Sequence, residues 1–363
     1  MTEREQEILR LLREDPMIPQ QQLADRLGIS RSALASHISS LMRQGYVQGR
    51  GYVLREGPYA VVVGGANMDI CGTAEGPLRQ GDSNLGKVRL APGGVGRNIA
   101  ENLARLGSDC RLVSAVGRDP HGERLIEVSQ QAGINMRHVL QLEGHSTSCY
   151  LSLHGQDGEM QCAINDMAIL EALTPQRLAP LDGLLGAARA LVLDANLTEP
   201  TLAWLFGRYA HLPLFVDTVS VAKVEKLRPW LAAIHTLKPN RLEAERLCRR
   251  TITGPADGPA VAAWFHRAGV RRLFLSLGEQ GVFYSDGEQQ AHLPILPSPV
   301  VNVTGGGDAY MGALIHAWLQ DYDLHQSARF ARACAALAVA SPDTVFTGLS
   351  LAAVERLLEE YPC

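Results

Sequence analysis

The sequence predicts an α/β fold with a doubly wound, mainly parallel sheet, preceded by a small helix-rich domain. Two observations lead to this prediction: apolar runs of strand length recur along the chain, and helical segments separate them. The apolar runs cover residues 59–65, 111–115, 190–194, 214–217 and 272–276, and the helical segments cover 96–106, 120–132, 241–248 and 259–268. Ligands of such folds collect at the carboxyl ends of the strands.

Composition describes the class of molecule. The chain has 363 residues, 46% hydrophobic and 20% charged, which suits one large globular domain and a small one. A formal net charge of -4 excludes an overall basic field, so any DNA binding has to be local. Seven scattered cysteines, without a Cys-x-x-Cys pair, predict neither a disulfide framework nor a zinc site. With no signal peptide and no long apolar run, we expect a cytoplasmic protein without a membrane segment.

Residues 1–57 resemble the winged helix-turn-helix domains of bacterial regulators. Helices are expected at 2–13, 20–27 and 31–43, with the turn at Gly28, and a hairpin at 46–54 forms the wing. The segment has eight arginines and seven acids, a weak electrostatic footprint, so a module used only for packing or dimerisation stays open. The candidate DNA-binding residues are Arg31, Ser32, Ser36 and His37 on the third helix and Arg50 on the wing.

Two stretches of the second domain, residues 58–363, interrupt the strand–helix alternation. Residues 71–91 are polar and rich in glycine, whereas 145–165 alternate like two strands around a turn at 155–158. Together they predict a small β lid that projects from the main body. A peripheral hairpin without a role is the alternative.

The segment Asn-Val-Thr-Gly-Gly-Gly-Asp, residues 302–308, precedes a predicted helix and is the candidate catalytic segment. Glycines let successive backbone N–H groups point into one concavity, and the helix adds its positive N-terminal end, which suits a phosphate. Beside a bound phosphate, Asp308 is suited to act as the base that takes a proton from an attacking hydroxyl. A helix N-cap after a flexible turn is the alternative.

Polar residues also follow the first strand and open the next helix. Asn67 and Asp69 come after the first strand, where Asp69 is placed to accept hydrogen bonds from two neighbouring hydroxyls. Gly94 allows close approach of the backbone, and Asn98 offers both a donor and an acceptor to a polyol. A solvated turn acid is the alternative for Asp69.

Two later motifs suit a nucleotide. Asn240 and Glu243 are three residues apart on a helix, so they can arrange water around a magnesium ion bound to phosphates, although a capping box fits the spacing equally well. Ser276 and Gly278 end a strand with small residues, which leaves room for ribose and phosphates. An ordinary βα turn is the alternative for the second motif.

The order of these motifs resembles the ribokinase-like (PfkB) family of sugar and nucleoside kinases over residues 59–360. The resemblance implies a ribokinase-like fold with ATP and Mg2+ as cofactors. It makes Asp308 the catalytic base and places Gly305, Gly306 and Gly307 in the anion hole. It assigns Asn240 and Glu243 to magnesium and phosphate, Asn67, Asp69, Gly94 and Asn98 to the ribosyl group, and Ser276, Gly278 and Thr304 to ATP.

Three positions depart from the family pattern. Gly306 stands where alanine is usual, which loosens the loop but keeps its N–H available. Asn302 stands where aspartate is common near a monovalent-cation site, so a requirement for K+ is left open. Val95 stands where many sugar kinases carry lysine, which argues against a plain ribokinase.

Several longer segments are similar to the branch of the family that phosphorylates pseudouridine. They are residues 82–87, 93–107, 147–153, 164–167 and 235–245. The resemblance implies transfer of the ATP γ-phosphate to the 5'-hydroxyl of a nucleoside whose base is joined through carbon. Ser148, Asn165 and Asp166 in the lid are the candidates to read the uracil edge, with a solvated loop as the alternative for each.

Two other functions stay open at this point. A pocket is tuned by few contacts, so the acceptor could be another nucleoside or a sugar, such as uridine, inosine or ribose. The helix-turn-helix also fits a nucleoside-sensing transcriptional regulator. Because the exposed edges of a projecting lid sheet pair readily, we expect a homodimer.

Overall fold

The computed structural model describes residues 2–47 and 57–361. The chain divides into two compact units, Met1–Pro58 and Tyr59–Cys363. Among the described helices, none is both long and apolar enough to cross a bilayer.

The first unit consists of three helices, α1 (Glu3–Glu14), α2 (Gln20–Leu27) and α3 (Arg31–Arg43). Helix α2 ends at Gly28, whose φ of 63° is the left-handed conformation that glycine adopts easily. The hydroxyl of Ser30 then accepts a hydrogen bond from the Ala33 N–H and caps α3. Leucine and isoleucine side chains from all three helices form one small core. Residues 48–56, which include most of the predicted wing and Arg50, lie outside the described residues.

The second unit alternates strands and helices. Its strands are β1 (Tyr59–Val63), β2 (Asn67–Ala74), β3 (Gly86–Gly93), β4 (Asp109–Val113), β5 (Ala115–Gly117), β6 (Leu140–Leu142), β7 (Cys149–His154), β8 (Met160–Asp166), β9 (Ala190–Asp194), β10 (Leu214–Asp217), β11 (Thr236–Lys238), β12 (Arg272–Ser276), β13 (Val282–Ser285) and β14 (Gln290–Leu293). Its α-helices are α4 (Val95–Arg105), α5 (Pro120–Gln131), α6 (Pro175–Leu178), α7 (Asp182–Gly186), α8 (Glu199–Tyr209), α9 (Arg241–Cys248), α10 (Gly258–Arg267), α11 (Gly306–Leu319), α12 (Leu324–Val339) and α13 (Leu351–Glu360). A 3-10 helix covers Val224–Ala233.

The main sheet has the strand order β14-β13-β12-β11-β10-β9-β1-β4. The strands from β12 to β4 in this order run parallel, and β13 and β14 add an antiparallel edge. The predicted mainly parallel sheet is therefore confirmed. Buried strands such as β1 alternate their side chains between two apolar layers: Val61 and Val63 pack on one face, and Ala60 and Val62 on the other.

Strand order reverses beside β1. The chain passes from β1 to β4 on one side and later returns to β9 on the other, so the carboxyl ends of β1 and β9 border a topological switch point. Open α/β sheets bind their ligands in the crevice at such a point. The fold alone thus directs attention to residues just after Val63 and at the end of β9.

A second sheet has the strand order β3-β2-β7-β8 and corresponds to the predicted lid. It begins at Asn67 rather than Cys71, because only three residues separate the end of β1 at Val63 from the start of β2. Successive side chains point to opposite faces of a strand, so the register defines two faces. We call the face that carries Asp69, Tyr150 and Asn165 the inner face of the lid. We call the face that carries Val88, Leu90, Leu151, Leu153 and Ile164 the outer face.

Replacing Gly94, which precedes α4, tests the close approach of this turn to β1. Its φ is 99°, and an added Cβ would lie 2.5 Å from the Gly65 carbonyl oxygen. We expect Gly94→Ala to lower the free energy of unfolding by about 3 kcal/mol, combining left-handed strain with a steric collision. Gly107 also has a positive φ of 82° but faces open space, so Gly107→Ala should cost only about 1 kcal/mol. Equal losses in urea unfolding would contradict the close approach.

Candidate active site

Asp308 lies in the first turn of α11, next to backbone groups that can bind an anion. The helix begins at Gly306 after Gly305, whose φ of 87° is left-handed, and a Cβ on Gly305 would collide with the Thr344 carbonyl. The N–H groups of Gly306, Gly307 and Asp308 occupy the first turn, where a helix offers them no intrahelical acceptor. Gly307 is exposed, so this row of amides is open to a phosphate.

Asn98 on α4 meets Asp308 although 210 residues separate them in sequence. The Asn98 side-chain N–H donates to Asp308 Oδ2 over 2.9 Å. The approach depends on Gly312, where an added Cβ would lie 2.9 Å from the Asn102 Cβ and 3.1 Å from the Ile99 carbonyl oxygen. Close packing of α4 on α11 therefore joins two candidates that the sequence placed in separate motifs.

Asp69 occupies the inner face of the lid, above the start of α4. The Asn67 side-chain N–H donates to Asp69 Oδ1 over 2.6 Å, and a Cβ on Gly93 would collide with the same carboxylate. Burial raises the pKa of Asp69, whereas the Asn67 hydrogen bond and the charge of Arg97 oppose that shift. Asn67, Asp69, Gly94 and Asn98 thus lie around one region at the switch point.

A carboxylate that the sequence analysis overlooked fixes the geometry of this region. Asp194, the last residue of β9, accepts hydrogen bonds through Oδ2 from the N–H groups of Gly65 (2.7 Å) and Gly96 (3.0 Å). Its Oδ1 accepts one from the Asn196 N–H over 2.9 Å. Asp194 therefore ties the ends of β1 and β9 to the start of α4. An acid that ends an otherwise apolar strand was the available signal.

Two further overlooked residues, Asp217 and Lys238, end the neighbouring strands β10 and β11. Lys238 Nζ lies 3.3 Å from Asp217 Oδ2, and both side chains are buried. A Cβ on Gly307 would lie 3.2 Å from Lys238 Nζ, so the ammonium group borders the row of amides. Burial opposes the charge of Lys238, but the carboxylates of Asp217, Glu243 and Asp308 outweigh that effect and raise its pKa. A fixed positive charge thus stands where a transferred phosphoryl group would lie.

The same surroundings perturb Asp308. Burial is the main cause, and the negative charge of Asp217 adds to it, so the pKa of Asp308 rises to about 7. The Asn98 hydrogen bond and the charge of Lys238 act in the opposite direction. A carboxylate with a pKa near neutrality is suited to accept and release a proton at physiological pH.

Asn240 and Glu243 form the capping box of α9. The Glu243 N–H donates to Asn240 Oδ1 over 2.9 Å, and the Asn240 N–H donates to Glu243 Oε2 over 2.8 Å. The Thr218 hydroxyl also donates to Glu243. The capping alternative is therefore present in the structure, and it holds Glu243 close to Lys238.

These residues fit a magnesium ion that is shared with phosphates. Among residues 2–47 and 57–361, no group of three or more His, Cys, Asp or Glu side chains could hold a metal by itself. Magnesium needs no such group, since it commonly takes one or two carboxylates together with substrate phosphates and water. Glu243, buried beside Lys238, is suited to act as such a carboxylate.

The remaining nucleotide candidates lie at the same edge of the sheet. The Ser276 N–H and hydroxyl both donate to the Pro239 carbonyl, at 3.0 and 3.3 Å, which joins the end of β12 to the start of α9. Gly278 has a φ of 61° with no heavy atom near an added Cβ, so it borders open space. Thr304 is exposed, and its N–H donates to Asn302 Oδ1 over 2.9 Å.

The three lid candidates occupy different environments. Asn165 is exposed on the inner face of the lid, in register with Tyr150, whereas the next residue, Asp166, belongs to the opposite face because strand side chains alternate. Asp166 also accepts a hydrogen bond from the Ala168 N–H over 3.2 Å. Asn165 and Asp166 thus lie on different faces of β8, and a role for Asp166 in reading the base stays a prediction. Ser148 is buried rather than in a solvated loop.

The candidate DNA-binding residues occupy the outer side of α3. Arg31, Ser32 and Ser36 are exposed and His37 is half-buried, whereas Leu34, Ile38 and Leu41 of the same helix are buried in the core. The Ser36 hydroxyl donates to the Ser32 carbonyl over 3.2 Å. The polar residues of the third helix thus lie on the side opposite to its core-facing residues. Ile29, in the turn before α3, is only partly buried.

Solved structures with the same architecture define the class of protein. The structure of ribokinase from Arabidopsis thaliana complexed with ribose and ATP matches with a TM-score of 0.75 at 23% identity, covering 84% of this chain and 99% of that one. A carbohydrate kinase from Agrobacterium tumefaciens matches with a TM-score of 0.73 at 31% identity, covering 83% and 97%. The fold is that of the ribokinase-like α/β proteins.

The particular family follows from the sequence comparisons. The model of the pfkB family of carbohydrate kinases matches residues 58–349, and the chain belongs to this family. A winged helix-turn-helix DNA-binding model matches residues 1–48. The relatives include a sugar kinase, YeiI, of Escherichia coli K12 (44% identity; 94% of each chain) and the pseudouridine kinase of the same organism (45%; 85% of this chain, 99% of the relative). A guanosine-inosine kinase of Exiguobacterium acetylicum is 29% identical, covering 78% and 94%.

The raised pKa of Asp308 predicts a stability that depends on pH. Its pKa is about 7 in the folded chain, against an ordinary value of 3.8, so the folded state binds the proton more tightly and loses stability as pH rises between these values. Asparagine does not ionise. We therefore expect Asp308→Asn to raise the free energy of unfolding at pH 8 by on the order of 1–2 kcal/mol, which raises Tm by a few degrees. The increase should be smaller near pH 4. Thermal melts at both pH values measure this difference, and a variant less stable at pH 8 would contradict the burial of an ionised carboxylate.

Proposed function

We propose that this protein transfers the γ-phosphate of ATP to the 5'-hydroxyl of a nucleoside, with pseudouridine as the acceptor. One observation carries the proposal. Asp308, with a pKa near 7, receives a hydrogen bond from Asn98 beside the free amides of α11 and the ammonium group of Lys238. A base, an anion hole and a fixed cation are the groups that phosphoryl transfer requires.

In the proposed reaction the ribose hydroxyls of the acceptor bind Asp69 and Asn98, and its 5'-hydroxyl lies beside Asp308. Asp308 accepts the hydroxyl proton as the oxygen attacks the γ-phosphorus. The N–H groups of Gly306 and Gly307 and the charge of Lys238 stabilise the equatorial phosphoryl oxygens. Magnesium, when bound with ATP, neutralises phosphate charge, and Glu243 would hold it.

Two observations favour a nucleoside over a free sugar. Relatives at 45% and 29% identity are named pseudouridine kinase and guanosine-inosine kinase. Asp69, Tyr150 and Asn165 also lie in register on three adjacent strands of the inner face. Strands are about 4.8 Å apart, so Asn165 stands about 10 Å from Asp69. That spacing fits a ribose held at one end and a base read at the other.

The outer face of the lid suits a second copy of the chain. Val88, Leu90 and Ile164 are 68%, 53% and 65% exposed, and they lie on one face of the sheet, on its two edge strands β3 and β8. Apolar surface of this kind normally mediates association. Because the inner face points to the acceptor, a homodimer formed through the outer faces leaves each site open to its substrate.

A DNA-binding role is the second proposed function, and the match of residues 1–48 to a winged helix-turn-helix supports it. Arg31, Ser32 and Ser36 present a polar helix side suited to phosphates and base edges. Binding of a nucleoside by the kinase unit would then alter how much DNA the first unit binds.

An acceptor competition assay tests the kinase proposal. Pseudouridine, uridine, inosine, cytidine and ribose are offered together with Mg-ATP, with and without K+, and we expect pseudouridine 5'-phosphate as the main product. Asp308→Asn should lower turnover by about 10²–10⁴-fold. Asp69→Ala should raise the acceptor KM about a hundredfold while the KM for ATP stays constant.

The control for Asp69 is Asp82, an exposed acid at the tip of the lid. Asp82→Ala should leave both KM values unchanged. Preferential phosphorylation of ribose would replace the nucleoside proposal with a sugar kinase. Wild-type turnover by Asp308→Asn would remove the base from the mechanism.

Salt-dependent DNA binding tests the second function. We expect the purified chain to retain fragments of its own promoter region, with a Kd that weakens as salt increases. Arg31→Ala should weaken binding about tenfold while kinase activity is kept, since Arg31 lies on the first unit. Arg124, an exposed arginine of the kinase unit that pairs with Glu127, supplies the control Arg124→Ala. Equal effects of the two substitutions would count against recognition by α3.

A further inference from the structure

Arg97 is buried in α4 although a charged residue four positions before a glutamate normally marks an exposed helix side. Its side chain is 1% exposed. Nη1 and Nη2 each donate to Glu101 Oε2 over 2.7 Å. Arg105 donates to the other oxygen, Oε1, through Nε and Nη2 at 2.8 and 2.6 Å. Two guanidinium groups thus share one carboxylate, and the group of three keeps a net positive charge.

The side-chain amide of Asn98 links this positive charge to Asp308 by hydrogen bonds. Arg97 Nη2 donates to Asn98 Oδ1 over 3.0 Å, and Asn98 Nδ2 donates to Asp308 Oδ2 over 2.9 Å. A guanidinium group only donates hydrogen bonds, and an ionised carboxylate only accepts them. A single orientation of the Asn98 amide therefore satisfies both neighbours. The reversed amide would face its NH2 to the guanidinium group and its oxygen to the carboxylate.

Stability alone gives no reason to bury an arginine here. Replacing a buried ion pair with apolar residues of similar volume is often neutral or stabilising, because desolvation offsets the attraction. Arg97 also keeps its Nε buried without a hydrogen-bond partner among the described residues. A costly charge retained beside a proposed catalytic base indicates a task in the reaction.

We propose that Arg97 is a positioning residue for phosphoryl transfer, which acts through Asn98 to hold Asp308 ionised and oriented toward the acceptor hydroxyl. The proposal rests on the proposed role of Asp308 as the base. An Asn98 amide fixed in this orientation stabilises the ionised carboxylate, because its N–H would gain nothing from a protonated oxygen that points its own hydrogen at the amide. Arg97 thereby sets the pH at which the base becomes active.

Charged groups face Asp308 from several elements. Asp194 and Asp217, at the ends of β9 and β10, raise its pKa, and Lys238, at the end of β11, lowers it. From α4, the Asn98 hydrogen bond also lowers it, and the charges of Arg97 and Asp308 attract each other. Removal of Arg97 leaves Lys238 as the cation that opposes the charges of Asp194 and Asp217. The protonation equilibrium of Asp308 therefore moves toward the protonated acid.

The pH dependence of kcat/KM for the full chain tests the proposal. In Arg97→Met we expect the acid limb to move up by about one pH unit, with the rate at pH 7 about fivefold lower and most of the wild-type rate regained at pH 9. Arg97→Lys, which keeps the charge, should restore the acid limb. Arg105→Met is the matched control, because Arg105 also pairs with Glu101 but makes its other hydrogen bond to the Thr347 carbonyl. The acid limb of Arg105→Met should match that of the wild type.

A double-mutant cycle separates action through Asn98 from a general loss of structure. If Arg97 works through the amide, Arg97→Met should add little to the pH shift of Asn98→Ala. An unchanged acid limb in Arg97→Met, or a rate loss that persists at pH 9, would overturn the proposal. Should Arg97→Met fail to fold, Arg97→Met combined with Glu101→Leu removes both charges of the pair and gives the same comparison.

A titration that needs no turnover distinguishes this proposal from the proposed function. In the full chain labelled with 13C at aspartate carboxyl carbons, the Asp308 signal is the one lost in Asp308→Asn. We expect its titration midpoint to move up in Arg97→Met and to stay in place in Arg105→Met. If the wild type phosphorylates none of the acceptors, the proposed function fails, whereas this midpoint still supports or overturns the link from Arg97 to Asp308.

Discussion

The crowding of carboxylates at one edge of the sheet is the constraint on which the site depends. Asp194, Asp217 and Asp308 converge at the ends of neighbouring elements, and each of them would repel the others when ionised. Two cations balance them: Lys238 pairs with Asp217, and Arg97 reaches Asp308 through an amide. This balance leaves Asp308 poised near neutrality, with a phosphate-binding row of amides beside it. The proposed proton transfer therefore depends on the charges that the fold brings together in this cluster.

Glycines determine whether the elements come close enough to form the cluster. Gly312 allows α11 to approach α4, and Gly94 allows the start of α4 to lie against the turn after β1. Asp194 then locks that turn by accepting from the amides of Gly65 and Gly96. Backbone contacts thus bring side chains from distant parts of the chain together, which favours the rigid geometry that proton transfer requires.

Sequence patterns were sufficient where the signal is local. The apolar runs at β9, β10 and β12 and the motif around Asp308 predict their structures directly, because strand burial and a glycine-rich helix start depend on neighbouring residues. Arg97 escaped prediction because its spacing of four residues from Glu101 is typical of an exposed helix side, whereas its side chain is 1% exposed. The face on which Asp166 lies could not be predicted, because the alternation of a strand fixes a face only once the register with β7 is known.

In the proposed function, the lid divides acceptor binding and subunit pairing between the two sides of its four strands. Asp69 and Asn165 lie on one side, and Val88 and Ile164 on the other, so neighbouring positions in sequence serve different purposes. Under these proposed roles, substitutions on one side can alter the preferred acceptor without disturbing subunit pairing, and the reverse. A change of acceptor from one nucleoside to another then requires substitutions only at alternate positions of these strands.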